Sequence, residues 1–345
     1  MEIVNPHQIS IKNNCFFGLP TAIEDAQVVF LSVPWDATVS YGEGTADGPK
    51  AILEASYQLD WYDFDLSQAW LKGYGTIPIN ADIREKSKQT RAIATQVIEY
   101  LESGNSLDDR AIASSLKTVN QSSSFLNHWV YEQCQKFLGQ GKKIALIGGD
   151  HSIPFGYIKA LTEHYPQFSI LHIDAHADLR NAYEGFTYSH ASIMYNVMQL
   201  PNINKLIQVG IRDLCQEEMD KIVEDKRIVL FDDWHLKNQF YEGVTWKQQC
   251  QDIVSHLSET VYISFDIDGL NQVFCPNTGT PVAGGLDFNQ AIYLIQTVVK
   301  SGKKIIGFDL CEVAPSKSDK DEWDGNIGAR LLYKLTNLMY LSQKN

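Results

Sequence analysis

Seven short runs of apolar residues recur along the chain, and each of them ends in a polar cluster. β-Branched and other large apolar side chains fill these runs almost without interruption. Such runs are typical of strands that are buried on both faces, as in a parallel sheet covered by helices. The predicted strands are Val28–Val33, Ile144–Ile147, Ile170–Ile173, Leu206–Val209, Ile228–Phe231, Val261–Phe265 and Ile305–Phe308.

Longer amphipathic stretches separate many of these runs and have the spacing of helices. The predicted helices are Phe125–Leu138, Pro154–His164, Trp246–Leu257, Phe288–Lys300 and Ile327–Leu341. Strands that alternate with helices predict an α/β fold, in which a mainly parallel central sheet is covered by helices.

The whole chain, residues 1–345, is predicted to form one domain, because no linker rich in Pro, Gly or Ser divides it. Residues 80–124 are the least regular part, since Ser, Asn, Lys and Asp collect there. We expect this segment to be a partly loop-like insertion, with one helix at Thr90–Leu101 and an exposed Ser-rich loop.

The composition excludes several classes of protein. The 345 residues are 44% apolar and 21% charged, and the net charge is −13. An acidic chain of ordinary globular composition is not expected to bind nucleic acid, which needs a basic face. Its negative field weakly favours a cationic substrate, although such a charge also serves solubility. No apolar run reaches the ~20 residues of a membrane span, so no membrane partner is expected.

The spacing of the cysteines bears on the cellular compartment in which the protein is expected. The six cysteines are scattered, and no two form a Cys-x-x-Cys pair that could hold zinc or a redox disulfide. The chain also starts without the basic and apolar regions of a signal peptide. We therefore expect reduced thiols in a cytoplasmic protein.

Histidines and carboxylates follow three of the predicted strands. Asp174, His176 and Asp178 alternate with two small alanines, so an extended chain would project all three side chains from one face. The carboxyl ends of parallel strands meet at one edge of a sheet, where ligands bind in open α/β folds. The side chains predicted to converge there are His151, Asp174, His176, Asp178, Asp266 and Asp268.

This donor set predicts a site for two metal ions. Six ligands are too many for one tetrahedral zinc, and mixed imidazole and carboxylate donors without thiolate suit manganese or a similar ion. Four carboxylates balance two divalent cations. Such a pair can hold a bridging hydroxide at neutral pH, which predicts metal-assisted hydrolysis.

The same segments, taken in order, resemble the ureohydrolase family of arginases, agmatinases, guanidinobutyrases and formimidoylglutamases. The resemblance extends over roughly residues 28–340, including the segments 44–49, 276–281 and 309–315. It implies an arginase-like three-layer α/β/α fold with two manganese ions, although nickel is compatible with the same donors. It also implies the arrangement of ligands: His151 and Asp178 on one ion, His176 and Asp268 on the other, and Asp174 and Asp266 as bridges.

The resemblance further implies the residues that act on the substrate. Glu312 matches the family glutamate that pairs with a guanidinium, and a carboxylate accepts that planar fork of N–H donors. Thr280 matches a residue beside it. His190 matches a histidine that handles protons, so the candidate catalytic residues are Asp178, His190 and Glu312. Family members assemble as trimers or hexamers, so a homotrimer or homohexamer is expected.

One departure from the family pattern bears on the substrate. Arg180 stands where arginases carry an asparagine that helps to hold the amino-acid end, and it would repel an ammonium there. The expected reaction is therefore hydrolysis of agmatine to putrescine and urea. Guanidine, or a guanidino acid whose carboxylate Arg180 would bind, is the alternative. A zinc deacetylase is a remote alternative, and a non-catalytic homologue would be expected to lack a ligand or Glu312.

Overall fold

The computed structural model describes residues 10–318 and 321–344, and eight strands of this part form a single sheet. In chain order the strands are β1 (Val28–Ser32), β2 (Tyr74–Thr76), β3 (Lys143–Ile147), β4 (Phe168–Ile173), β5 (Ile203–Val209), β6 (Ile228–Phe231), β7 (Thr260–Asp266) and β8 (Lys304–Cys311). Their order across the sheet is β2-β1-β3-β8-β7-β4-β5-β6, and every pairing of neighbours is parallel. The predicted parallel sheet is confirmed.

Ten α-helices accompany the sheet in the described ranges. They are α1 (Gly48–Ser56), α2 (Ala81–Glu102), α3 (Arg110–Leu138), α4 (Phe155–Leu161), α5 (Ile193–Val197), α6 (Gln216–Glu224), α7 (Asp233–Tyr241), α8 (Trp246–Ser255), α9 (Phe288–Lys300) and α10 (Trp323–Ser342). Within these same ranges, no helix combines the length and the hydropathy that crossing a bilayer requires.

Both faces of the sheet are buried, because successive side chains of a strand point to opposite sides. In β1, Val28 and Phe30 join the apolar cluster that also contains residues of α1, α9 and α10. Val29 and Leu31 join a second cluster with residues of α3 and α4. The molecule therefore has three layers, α/β/α, as the sequence predicts.

Residues 80–124 differ from the sequence-based expectation. The predicted helix Thr90–Leu101 is part of the longer α2, but the predicted Ser-rich loop is wrong, since α3 begins at Arg110 and continues to Leu138. Sparse apolar residues at helical spacing, among them Ile112 and Val119, pack with α2 in a third apolar cluster. This stripe outweighs the low helix propensity of the serines.

Several short elements were not predicted. β2 has three residues at the sheet edge, and α1, α5, α6 and α7 have five to nine residues. Segments of this length carry too few apolar positions to show a period.

The first prediction concerns the contact of the sheet with α4. Gly307 in β8 faces Tyr157, and a Cβ at Gly307 would lie 2.0 Å from the Tyr157 hydroxyl oxygen. Tyr157 is fully buried and donates a hydrogen bond to the carbonyl of Ile144 at 3.0 Å. Gly307→Ala should therefore lower the free energy of unfolding by about 1–3 kcal/mol, because it overpacks this contact. Urea denaturation followed by circular dichroism measures the loss.

A double-mutant cycle supplies the control. Tyr157→Phe removes the atom nearest to the new Cβ. Gly307→Ala should therefore lower the free energy of unfolding by less in the Tyr157→Phe protein than in the wild type. An equal loss of unfolding free energy in both proteins would contradict the clash between the new Cβ and the Tyr157 hydroxyl.

Candidate active site

The predicted site residues lie at the carboxyl ends of four adjacent central strands, β3, β8, β7 and β4. His151 follows β3 and Asp174 directly follows β4. Asp266 ends β7, and Glu312 directly follows β8. Because parallel strands all end at the same edge, residues far apart in the sequence share one pocket.

The first group of the site surrounds the imidazole of His151. Its Nδ1 atom lies 3.0 Å from an oxygen of Asp174, 3.2 Å from one of Asp178 and 3.3 Å from one of Asp266. All four side chains are buried. One ring nitrogen carries at most one proton and cannot satisfy three carboxylates, so this arrangement suits a cation among them.

A second group adjoins the first through Asp174. The Nδ1 atom of His176 lies 3.2 Å from Oδ2 of Asp268 and 3.5 Å from Oδ1 of Asp174. Asp174 therefore contributes one oxygen to each group. Oδ2 of Asp268 is buried and, although His176 lies close to it, makes no well-aligned hydrogen bond in the described structure. This leaves a ligand atom directed at the second position.

Electrostatic repulsion is concentrated at these carboxylates. Burial, followed by repulsion from Asp268 and Asp174, raises the pKa of Asp266 well above its ordinary value. Burial and the charge of Asp174 raise the pKa of Asp178 to about 6. Cations held among the side chains would reverse both effects, because they stabilise the ionised carboxylates. The residues present therefore fit two divalent metal ions.

A buried cysteine also lies near the candidate metal ligands. Cys311 lies near His151 and Asp309, within reach of a shared ion. The Cys311 thiol donates a hydrogen bond to an oxygen of Asp309 at 3.4 Å and is not a member of either group described above. Donors of the two groups described above are imidazole nitrogen and carboxylate oxygen.

Two neighbouring side chains orient the candidate ligands. Nε2 of His172 lies 2.8 Å from Oδ2 of Asp174, while Gln208 donates a hydrogen bond to Nδ1 of His172 at 3.0 Å. The proton of His172 is thus on Nε2 and is donated to Asp174. On the other side, the Ser264 hydroxyl lies 2.9 Å from Nε2 of His151, which directs Nδ1 towards the carboxylates.

Backbone strain accompanies two of these residues. Asp178 has φ +55° and Glu312 has φ +63°, a left-handed conformation that non-glycine residues rarely adopt. Each such residue costs on the order of 1–3 kcal/mol and persists where the surrounding structure requires it. Here the conformation turns both side chains into the pocket that they line.

A cavity of about 470 Å³ opens beside the candidate metal ligands and is lined by Glu312, Thr280, His190 and Arg180. This volume is in the range of small-molecule sites. Oε1 of Glu312 accepts the backbone N–H of His151 at 2.8 Å, and Oε2 is buried without a hydrogen-bond partner. The free oxygen fits a cationic N–H donor of a ligand.

His190 lies on the cavity wall between two hydroxyl groups. The Ser40 oxygen is 3.3 Å from Nε2, and the Ser189 oxygen is 3.3 Å from Nδ1. Loss of solvent around the ring, followed by the charge of His176, lowers the pKa of His190 to about 3. The ring is therefore neutral near pH 7.

Arg180 has an acidic and an aromatic neighbour. Its Nε lies 3.6 Å from an oxygen of the buried Glu218, and its guanidinium carbon lies 4.8 Å from the centre of the Tyr183 ring. The sequence reasoning did not find Glu218.

Ser40, Tyr41 and Asp213 also line the cavity and were not predicted. The sequence feature that these residues share is their position, because each lies in a loop that follows the carboxyl end of β1 or β5.

Comparison with known proteins places these observations in a family. The Arginase family model matches residues 26–337. An N(1)-aminopropylagmatine ureohydrolase of Synechocystis sp. is 29% identical over 94% of this chain and 92% of its own. An agmatinase of Escherichia coli O9:H4 is 28% identical over 85% and 81%.

A solved structure shows the same fold. The agmatine ureohydrolase of Thermoplasma volcanium is 21% identical and superposes with a TM-score of 0.71, over 98% of this chain and 96% of its own. At this identity the likeness concerns the fold alone.

The second prediction concerns metal content. Asp174→Asn should sharply reduce the bound metal from about two ions per chain, because Asp174 offers an oxygen to both groups and a two-metal site needs both positions. Asp220→Asn, an exposed residue of α6, is the matched control. Both proteins are incubated with excess Mn²⁺, desalted and analysed by plasma mass spectrometry. Full retention of metal by Asp174→Asn would refute the assignment of Asp174 to both positions.

Proposed function

Because the chain belongs to the arginase family, and is a hydrolase of guanidino C–N bonds, we propose that its substrate is an agmatine-type guanidine. Agmatine, a linear guanidine whose tail ends in an amine, is the first candidate, with putrescine and urea as the products. Agmatine that carries an aminopropyl group is the second candidate, and the name of the Synechocystis relative favours it.

The observation that carries this proposal is the unpaired oxygen of Glu312. Its Oε2 is buried at the wall of the cavity that also contains the Asp and His side chains. Burial and the charge of Asp150 raise the pKa of Glu312 well above its ordinary value, so a permanent cation beside it would be strongly stabilising. A guanidinium supplies that cation in a planar, hydrogen-bonding form.

We assign the metal ligands as the resemblance implies. His151 and Asp178 would hold one ion, His176 and Asp268 the other, with Asp174 and Asp266 between them. The oxygen and imidazole donors support manganese, and nickel is compatible with them. When bound, a pair of divalent cations acts as a Lewis acid that makes water a nucleophile at neutral pH.

The protein side chains would bind the substrate and move a proton. Glu312 holds the guanidinium so that its central carbon faces the candidate metal ligands, and Thr280 flanks it in the cavity wall. Water oxygen adds to that carbon, and the C–N bond to the tail breaks. Both protons of the water end on the leaving nitrogen, which departs as an ammonium while urea forms. His190, on the cavity wall, would carry one of these protons.

The cavity supports a cationic tail rather than a carboxylate. Arg180, the residue that could bind a guanidino acid, is paired with Glu218. The remaining charged group towards the solvent side is Asp213, which lines the cavity and is exposed. These charges favour agmatine-type tails over guanidinobutyrate and over the amino-acid end of arginine.

Assembly and domain organisation remain predictions. We propose a single ureohydrolase domain that forms a homotrimer or a homohexamer, and light scattering of the purified protein would determine the mass.

The third prediction is the substrate preference. The Mn²⁺-loaded protein is incubated with agmatine, aminopropylagmatine, arginine, guanidine and guanidinobutyrate, and urea and ammonia are measured. The two amine-tailed substrates should have the highest kcat/KM, by about a hundredfold over guanidinobutyrate, because one mispaired charge costs several kcal/mol. A higher kcat/KM for guanidinobutyrate or for guanidine would contradict the proposal.

The fourth prediction tests Glu312 directly. Glu312→Gln keeps the shape and removes the charge, so the substrate cation would be buried without its partner. The expected cost of about 3–5 kcal/mol lowers kcat/KM by roughly two to four decades. Metal content should stay at the wild-type level. Glu224→Gln, an exposed position at the end of α6, serves as the control. Activity of Glu312→Gln within threefold of wild type would exclude the role.

A further inference from the structure

The loop between β1 and α1 forms part of the cavity wall and reaches His190. Thr38 accepts the backbone N–H of His190 at 3.2 Å, and the Ser40 hydroxyl lies 3.3 Å from its Nε2 atom. Residues 33–39 of this loop have no helix or strand. The position of Ser40 therefore depends on what holds the loop from outside.

Helix α2 holds this loop at both ends. Asp36 and Ser87 exchange two hydrogen bonds, one from the Asp36 backbone N–H at 3.0 Å and one from the Ser87 hydroxyl at 3.1 Å. At the other end, Arg84 binds both oxygens of Asp47, at 3.1 and 2.9 Å. Between these anchors the Thr38 hydroxyl donates a hydrogen bond to Asp150 and the Gly42 N–H donates one to the Gly279 carbonyl at 3.1 Å. The peptide group that joins Val39 to Ser40 lies between these two contacts.

Arg91 holds that peptide group. Its Nη1 atom donates a hydrogen bond to the carbonyl oxygen of Val39, and its Nε lies 3.6 Å from a carboxylate oxygen of Glu43. The Arg91 side chain is only 15% exposed. The Val39 carbonyl belongs to the peptide group that joins Val39 to Ser40, so fixing that oxygen fixes the direction from which Ser40 leaves the backbone.

We propose that Arg91 is a positioning residue, which holds the Val39 carbonyl and thereby keeps the Ser40 hydroxyl against Nε2 of His190. This inference rests on the proposed proton-transfer role of His190. It gives residues 81–102, which the sequence presented only as an insertion, a function in the active site.

A buried arginine is not needed to attach α2 to the rest of the protein. Ala94, Val97 and Ile98 already pack α2 against α3 and Phe186. Burying a charged group is costly unless it is paired. Arg91 bonds the Val39 carbonyl through Nη1, while its buried Nε makes no hydrogen bond and lies 3.6 Å from the Glu43 carboxylate of the same loop. Both of its partners therefore lie in the segment that carries Ser40.

The test compares Arg91→Ala, Ser40→Ala and the double variant with Lys88→Ala, an exposed position on the same helix. Each single variant should lower kcat for the best guanidino substrate by about ten- to a hundredfold, since small displacements of catalytic groups cost this much. Substrate KM, metal content and Tm should match those of Lys88→Ala. Arg91→Lys should recover much of the loss, because an ammonium can also donate to the Val39 carbonyl.

The double variant distinguishes positioning from an independent effect. If Arg91 acts through Ser40, the double variant should have a kcat within about twofold of either single variant. Additive losses would overturn the proposal. So would an Arg91→Ala protein with the kcat of Lys88→Ala.

A crystal structure of Arg91→Ala tests, without an activity assay, whether Arg91 positions Ser40. The Ser40 hydroxyl should lie beyond hydrogen-bond distance of His190 Nε2, and an unchanged separation would overturn the proposal. If the wild-type protein hydrolysed none of the guanidino compounds, the proposed function would fail, and this structure would still determine whether Arg91 positions Ser40.

Discussion

Repulsion among buried carboxylates is the constraint on which the architecture of this protein depends. Four aspartates and one glutamate lie at most 5% exposed at one sheet edge, a burial that isolated charges could not support. The charges suggest how the repulsion is balanced. Four aspartates match two divalent cations, and Glu312 matches the single charge of a guanidinium. Two further buried carboxylates at this edge accept hydrogen bonds from their neighbours, Asp150 from Thr38 and Ser152 and Asp309 from the backbone of Phe265. On this account the substrate completes the neutralisation that the metal ions begin. The five residues are Asp174, Asp178, Asp266, Asp268 and Glu312.

The fold supplies the rigidity that such a cluster requires. Four central parallel strands, each covered on both faces, place the carboxylates from fixed backbone positions. Left-handed backbone conformations at Asp178 and Glu312 are local strain that the packed sheet can bear. The hydrogen bonds of His172 with Asp174 and of Ser264 with His151 then fix which atom of each ligand faces the cluster. The packed core thus holds together a cluster of carboxylates that would otherwise repel one another.

The sequence predicts the centre of the site better than its periphery. The spacing of Asp174, His176 and Asp178 at a strand end is a local pattern, and local patterns can be interpreted without coordinates. The Ser-rich part of α3 was mistaken for a loop, because composition concealed a sparse apolar stripe. The contact between Arg91 and Val39 joins residues 52 positions apart and leaves no trace in either local sequence. The pairing of Arg180 with Glu218, which changes the interpretation of the substrate tail, was invisible for the same reason.

Anomalous diffraction from crystals of the Mn²⁺-loaded protein, collected at the manganese edge, would locate the bound ions. Two peaks are expected about 3.5–4 Å apart, the usual separation in two-metal sites. One should lie beside His151 and Asp178 and the other beside His176 and Asp268, with Asp174 in contact with both. A single peak, or a peak bound through Cys311 instead of the aspartates, would contradict the two-metal site.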